Sequence, residues 1–185
     1  MPASTWTTTC VVLACVLLEG CHGYITSREP LISVASASYP LPASAGIDAF
    51  TLDDNHVWQR TEGRAHLSLV QGNYRVTDPD RTEPSAETYL FKRIDNDRFI
   101  VQATSPQTDG SDRAYGLIVH ADMYYLFTFD SGEQTCANLS DAERSRFNAV
   151  LKDDACYVAN LSDVGGLLLF LREKFPYPTS AFVAR

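Results

Sequence analysis

A repeated unit of two apolar runs around a short polar turn constrains this chain more than any other feature. Turns centred at Gly72, Asn96 and Ala121 recur at intervals of about 25 residues, and each lies between runs of apolar, β-branched or aromatic residues. Such runs on either side of a short polar turn indicate β-hairpins. Because consecutive hairpins pair as neighbours, the stretch from about 47 to 135 is expected to form an antiparallel meander.

The alternation within these runs assigns their side chains to the two faces of the sheet. Successive residues of a strand point to opposite faces, so every second residue is expected in the core. The residues predicted to face inward are Leu67, Leu69, Tyr74, Val76, Phe99, Val101, Tyr125, Phe127 and Phe129. Two further short strands, near 50–52 and at 57–60, would bring the total to seven or eight, enough for a sheet that is curled or partly closed into a barrel.

The pattern becomes helical after about residue 136. The pentamer Ala-Asn-Leu-Ser-Asp occurs at 137–141 and again at 159–163, and a helical pattern follows each copy. Ser140 and Glu143 form a predicted capping box, and Ser162 is predicted to cap the second helix. The apolar face of the first helix is expected to hold Phe147, Val150 and Leu151, and that of the second Val164, Leu167, Leu168, Leu171 and Phe175, before Pro176 ends it.

The predicted fold class is therefore α+β: an antiparallel β-meander, curled or partly closed and barrel-like, with two short C-terminal helices. Residues 47–185 are expected to form a single globular domain, because about 140 residues supply one hydrophobic core and too few for two. The preceding segment, 21–46, is rich in Ser, Ala and Pro. Such a composition predicts a flexible tether, extended or disordered, whose last part lies on the domain through Tyr39 and Leu41.

The first twenty-one residues predict a destination outside the cytoplasm. Residues 10–18 are an apolar run, too short for a bilayer span of about 20 residues but long enough for the apolar core of a signal peptide. The ending Leu18-Glu19-Gly20-Cys21 resembles the lipobox of bacterial lipoproteins, in which cleavage precedes the cysteine. The resemblance covers the signal alone and implies a signal peptide at 1–20 and lipidation of Cys21.

The same resemblance implies a lipid-anchored protein of the bacterial cell envelope. His22 stands where an Asp would retain a lipoprotein at the inner membrane, which favours the outer membrane with the domain facing the periplasm. The formal net charge is −8, and removal of residues 1–20, whose only charge is Glu19, leaves −7. So negative a surface excludes nucleic acid as a partner. The expected partners are the membrane, through the lipid, and another envelope protein.

The cysteines agree with this destination. Cleavage would remove Cys10 and Cys15, and lipidation would use Cys21, which leaves Cys136 and Cys156. An oxidising compartment favours a disulfide between these two. Two buried reduced thiols are the alternative, whereas zinc is not expected because no histidine lies between them.

No catalytic motif stands out in the sequence, and no cofactor or metal is expected. A hydrolase would have to use His56 with Asp53 or Asp54 of the turn before it, or His120, at a hairpin tip, with nearby carboxylates. The acidic triplets at 53–55 and 95–97 lack the glycine and distal glutamate of a calcium-binding loop. Asn and Asp are common in turns for conformational reasons alone.

These observations favour a non-catalytic binding or assembly role at the membrane surface, without enzymatic activity. Two alternatives stay open. One is a lipocalin-like carrier of a small apolar ligand, with a pocket lined by Tyr89, Phe91, Tyr125 and Phe127. The other is a hydrolase that uses His56 or His120.

Overall fold

A twelve-stranded sheet and two α-helices make up the part of the chain that the computed structural model describes, which is residues 25–53, 55–61, 65–77, 87–104, 113–129, 136–152 and 155–185. The expected signal peptide and Cys21 lie outside these residues. The strands are β1 (Ile25–Ser27), β2 (Ser44–Leu52), β3 (Trp58–Arg60), β4 (Ala65–Val70), β5 (Asn73–Thr77), β6 (Thr88–Arg93), β7 (Arg98–Thr104), β8 (Arg113–His120), β9 (Tyr124–Phe127), β10 (Val150–Lys152), β11 (Ala155–Tyr157) and β12 (Ser180–Ala184). The helices are α1 (Asp141–Ser145) and α2 (Leu161–Lys174), and 3-10 turns lie at Val34–Ser36 and Cys136–Asn138.

Eight of the strands close into an antiparallel barrel. Hydrogen-bonded neighbours follow in the order β8, β7, β6, β5, β4, β2, β12 and β9, and β9 pairs back onto β8. Strands β4 to β9 form the predicted meander of hairpins. The first of these hairpins turns on Gln71 and Gly72, whose φ angles of 50° and 77° match the twist of the strands. The predicted α+β class and the barrel-like sheet are therefore confirmed.

The closing strand of the barrel, β12, was not predicted. It comes from the end of the chain and lies between β2 and β9, antiparallel to both. Because β12 follows α2, the chain leaves the barrel after β9, builds the helical layer, and then returns to complete the ring.

The barrel interior is filled by the chain's own side chains. Its buried members are Leu41, Ile47, Ala65, Leu67, Tyr74, Val76, Tyr89, Phe91, Phe99, Val101, Ala103, Ile118, Leu126 and Phe182. The inward orientation predicted for β4, β5 and β7 is confirmed, with Leu69 partly buried against this cluster.

Phe127 and Phe129 are buried as predicted, but the predicted orientation of β9 toward the barrel interior is wrong. Leu126 lies inside the barrel, whereas Phe127 and Phe129 belong to the second hydrophobic cluster, on the outer face, and Tyr125 packs against that cluster. Both faces of β9 are apolar because helix α2 covers the outer one. Alternation alone therefore does not tell which face is the interior.

Helix α2 supplies the centre of the outer cluster. Val164, Leu167, Leu168 and Leu171 are fully buried, as the sequence predicts, and Phe175 stands at the C-cap position and packs against the same cluster. The N-cap is Asn160 rather than the predicted Ser162, and its side chain accepts a hydrogen bond of 2.9 Å from the amide of Asp163.

Helix α1 has the predicted capping box between Ser140 and Glu143 but is shorter than expected. Asn148 adopts a left-handed φ of 48°, which stops the helix, and Val150 and Leu151 then form the exposed strand β10. The predicted helical face of Phe147, Val150 and Leu151 is therefore wrong.

The predicted disulfide between Cys136 and Cys156 is present, and both cysteines are fully buried. Cys156 lies in β11, which extends the barrel sheet through β1: β11 pairs parallel to β1, and β1 pairs antiparallel to β8. The bond thus joins this extension to the 3-10 turn that follows the barrel.

The described part of the expected tether, 25–46, is packed on the domain. Ile25, Ile32 and Leu41 are buried. The side-chain amide of Gln102 accepts from the Ile32 amide at 2.8 Å and donates to the Ile32 carbonyl at 3.1 Å. The Tyr74 hydroxyl likewise donates to the Leu41 carbonyl at 2.6 Å. The contact of Leu41 agrees with the sequence prediction, whereas the packing around Ile25 and Ile32 does not, because composition does not reveal distant hydrogen-bond partners of the backbone.

No helix among the described residues is long and apolar enough to cross a membrane.

Candidate functional site

A cleft of about 290 Å³ opens on the outer surface of the barrel, where β3, β9 and the end of α2 meet. We call it the aromatic cleft, and its functional side chains are His56, Trp58, Tyr125, Phe127, Arg172 and Tyr177. Strand β3 carries Trp58, and the outward face of β9 carries Tyr125 and Phe127. The remaining three come from a hairpin turn, from the last turn of α2 and from the segment after it.

Two pairs of aromatic rings line the cleft. The rings of Trp58 and Tyr125 lie 5.7 Å apart, tilted by 49°, and those of His56 and Tyr177 lie 4.6 Å apart, tilted by 51°. Such offset and tilted contacts are the favourable arrangements of aromatic rings. Tyr177 is 53% exposed, so one of these rings presents a large apolar face to solvent.

His56 holds an uncommon backbone conformation. Its φ is 60°, in the left-handed region that a residue with a side chain seldom adopts. The turn around it is held by Asp53, whose Oδ1 accepts from the amides of Asn55 and Val57, both at 2.9 Å, while Oδ2 accepts from the side chain of Gln59. These contacts place the imidazole ring on Tyr177.

The same turn argues against a His56–Asp53 catalytic pair. The hydrogen bond from the Val57 amide, together with those from Gln59 and Asn55, lowers the pKa of the Asp53 carboxyl. The Asp53 carboxylate is therefore already bound within the turn, and Asp54, the other expected partner of His56, lies outside the described residues. Among the described residues, neither His56 nor His120 hydrogen-bonds to a carboxylate.

Asp122, the carboxylate near His120 in sequence, also already has a hydrogen-bond partner. The hydroxyl of Tyr125 donates to Asp122 Oδ1 at 2.7 Å, which lowers the pKa of Asp122 and raises that of Tyr125. His120 instead stacks on Tyr124, with ring centroids 4.3 Å apart. The bond to Asp122 fixes the orientation of the Tyr125 ring at the edge of the cleft.

Arg172 supplies the positive charge in the aromatic cleft. It is partly buried, and its guanidinium carbon lies 5.8 Å from the centre of the Phe127 ring. No described carboxylate forms an ion pair with it. Its N–H donors are therefore available to a molecule in the cleft.

The four residues predicted to line a ligand pocket fall into two layers. Tyr89 and Phe91 lie in the barrel interior, where the Tyr89 hydroxyl donates to Glu87 at 2.7 Å and the Phe91 ring meets Tyr74 edge-on. Tyr125 and Phe127 lie in the aromatic cleft.

Sequence reasoning missed Trp58, Arg172 and Tyr177 as members of the site. The sequence holds one local signal for one of them, since Arg172 stands beside the apolar stripe of α2 and not opposite to it. The other two come together with it only through the closure of the barrel.

The acidic triplet in the β6–β7 turn does not form a metal site. Asp95 binds the guanidinium of Arg98, and this hydrogen bond lowers the pKa of Asp95 to about 2. Across the described ranges, no three His, Cys, Asp or Glu residues come close enough to hold a metal ion.

No protein-family model, curated protein or solved structure matches this chain. The chemistry of the aromatic cleft must therefore be judged from its own residues. They offer flat apolar surfaces and one guanidinium, and the described residues hold no paired nucleophile and base there. Such an arrangement is suited to binding.

Proposed function

We propose that this chain is a non-catalytic binding protein of the bacterial cell envelope, anchored by a lipid on Cys21, and that it binds a small ligand in the aromatic cleft. The observation that carries the proposal is the cleft itself, a concave surface lined mainly by aromatic side chains with few polar groups. Binding sites for small molecules have this character. At about 290 Å³, the cleft suits a ligand of one to a few rings.

The location outside the barrel distinguishes this proposal from a lipocalin-like carrier. A carrier of that kind holds its ligand inside the barrel, whereas fourteen buried side chains of the described residues occupy the interior here. The exterior cleft keeps two of the four residues predicted for a ligand, Tyr125 and Phe127. The proposed ligand is therefore still apolar, but it binds on the outer surface of the barrel.

Binding is favoured over hydrolysis by the pairing of the side chains. A hydrolase needs a histidine within hydrogen-bond reach of the group that orients it. In the described residues, Asp53 is held by its own turn and Asp122 by Tyr125. His56 contributes a ring face to the cleft instead.

The lipid anchor would hold the domain close to the membrane. The sheet begins at Ile25, four residues after Cys21, and covalent geometry limits four residues to a reach of about 14 Å. The anchor is tested by metabolic labelling with a fatty-acid probe, which we expect to mark the wild-type chain and not Cys21→Ser. Equal labelling of the two would contradict it.

Ligand binding is tested with phenylnaphthylamine, an uncharged two-part aromatic probe. Trp6 and Trp58 are the two tryptophans of the chain. Cleavage before Cys21 removes Trp6, and in protein that keeps residues 1–20 the variant Trp6→Phe removes it. With excitation that tyrosine does not absorb, Trp58 is then the tryptophan that transfers excitation energy to a bound probe. We expect energy transfer that saturates with probe concentration.

The matched variants are two exposed tyrosines. Tyr177→Ala removes one wall of the cleft, and an aromatic contact is worth about 0.5–1.5 kcal/mol, so we expect about two- to tenfold weaker binding. Tyr39→Ala removes a tyrosine of similar exposure, 45% against 53%, outside the cleft and should leave the affinity unchanged. Equal effects of the two, or no saturable binding, would contradict the proposed function.

A further inference from the structure

The positive charge of Arg172 indicates which kind of ligand the aromatic cleft binds. Arg172 lies in the last turn of α2, and its guanidinium carbon lies over the ring of Phe127, 5.8 Å from the ring centre. Several other arginines form ion pairs with carboxylates: Arg60 and Arg185 with Asp48, and Arg98 with Asp95. Arg172 has no such partner among the described residues.

A guanidinium in this position can bind an acid group of a ligand. It offers five N–H donors in a fixed plane, which match the oxygens of a carboxylate, sulfonate or phosphate. Contact with Phe127 and partial burial remove some of its water, which strengthens a hydrogen bond to an anion. The aromatic pairs Trp58–Tyr125 and His56–Tyr177 border the same cleft and offer flat surfaces for the rest of the ligand.

We infer that the ligand of the aromatic cleft is a small organic anion with a flat, apolar body, whose acid group pairs with Arg172. The inference rests on the proposed function, since it assigns a chemical class to the ligand of that site. The body lies against the aromatic walls, and the acid group lies at the end of the cleft formed by α2.

The net charge of the protein makes this inference specific. A chain with a formal charge of −8 repels anions over its surface as a whole. Preference for an anionic ligand therefore requires a local cation, and the cleft supplies that cation in Arg172.

The experiment compares two probes that share their rings and differ in charge. Phenylnaphthylamine is uncharged, and anilinonaphthalene sulfonate adds one sulfonate to the same body. Both are titrated into protein that lacks Trp6, through cleavage before Cys21 or through Trp6→Phe, with energy transfer from Trp58 as the readout. Hydrogen bonds to charged groups are strong enough that we expect the sulfonate to bind at least about tenfold more tightly.

Arg172→Gln should abolish that preference, because the affinity for the sulfonate should fall at least about tenfold and that for the uncharged probe by less. Arg172→Lys keeps the charge without the planar donors and should retain part of the preference. The matched control is Arg93→Gln, because the Arg93 guanidinium also lies over an aromatic ring, 5.4 Å from the centre of Phe99, but outside the cleft. It removes the same charge and should leave the preference intact. Circular dichroism and the thermal midpoint establish that each variant is folded.

The outcomes separate this inference from the proposed function. Equal affinity for the two probes, or a sulfonate preference that survives in Arg172→Gln, overturns the assignment of an anionic ligand and leaves the cleft as a binding site. Loss of the preference in Arg93→Gln to the same extent also overturns it, because the effect would then follow net charge. Failure of both probes to bind overturns the proposed function itself.

Discussion

Removal of the disulfide is expected to destabilise the fold strongly, because the bond constrains a long segment of the unfolded chain. Cys136 and Cys156 are 20 residues apart in sequence and both are fully buried. In the chain-entropy account, a cross-link over a loop of this length contributes about 3 kcal/mol to the free energy of unfolding. The double variant Cys136→Ala/Cys156→Ala removes the bond and adds no buried polar group, so its loss should be close to that figure.

The assay is equilibrium unfolding in urea, followed by circular dichroism. With a slope of about 2 kcal/mol per M, a loss of about 3 kcal/mol lowers the urea midpoint by about 1.5 M. Wild-type protein unfolded in the presence of a reductant retains both sulfur atoms without the bond. It should therefore show most of the same decrease, and the remaining difference measures the packing of the sulfur atoms.

Two results would refute this reasoning. A midpoint lowered by less than about 0.5 M would correspond to less than about 1 kcal/mol, too little for a cross-link over this loop. Trapping of both Cys136 and Cys156 as free thiols in freshly isolated protein would show that the bond does not form.

Two further perturbations test the turn chemistry and the helix cap. Gly72→Ala places a side chain at φ 77° with its Cβ against Val34 Cγ1, so we expect the free energy of unfolding, measured by thermal unfolding, to fall by at least about 1–2 kcal/mol. Gly165→Ala, in the helical interior, serves as the control, and an equal loss there would contradict the argument. Glu143→Gln tests the capping box: the hydrogen bond from the Ser140 amide, aided by Lys174, lowers the pKa of Glu143 to about 2 from the ordinary 4.5. A lowered pKa in the folded state means that the stabilisation is complete above the ordinary value and is lost as the pH falls through the folded one. The thermal midpoint of wild type should therefore exceed that of the variant at neutral pH and converge with it near pH 2, and a difference that is independent of pH would contradict the assignment.

The local features of the fold could be predicted from the sequence because each has its signal in neighbouring residues. The hairpin at Gly72 needs two residues of positive φ, and the apolar stripe of α2 recurs with the period of a helix. The disulfide followed from the count of cysteines.

Most of the features that the sequence did not predict depend on contacts between distant parts of the chain. Strand β1 has three residues and pairs with β8 and β11. No turn motif next to β1 in the sequence predicts either pairing. Its neighbouring segment is ordered by Gln102, Tyr115 and Tyr74, all more than thirty residues away in sequence. The stop of α1 at Asn148 does have a local cause, since Asn tolerates the left-handed conformation, but the pattern of apolar residues continued past it.

The candidate site shows how far alternation leads and where it stops. The run from Tyr124 to Phe129 is apolar at nearly every position, as expected for a strand with both faces covered. Alternation correctly groups Tyr125 with Phe127, and it leaves open whether this pair or Leu126 fills the barrel. Leu126 fills it, and for that reason the two aromatic rings lie on the outer face. There α2 covers the sheet only as far as its own end, and Arg172 and Tyr177 stand at that end. The orientation of β9 that made the predicted interior wrong therefore also creates the aromatic cleft. The cleft is an outer sheet face with apolar side chains that the helix does not fully cover. It is bordered by Arg172, which has no ionic partner among the described residues.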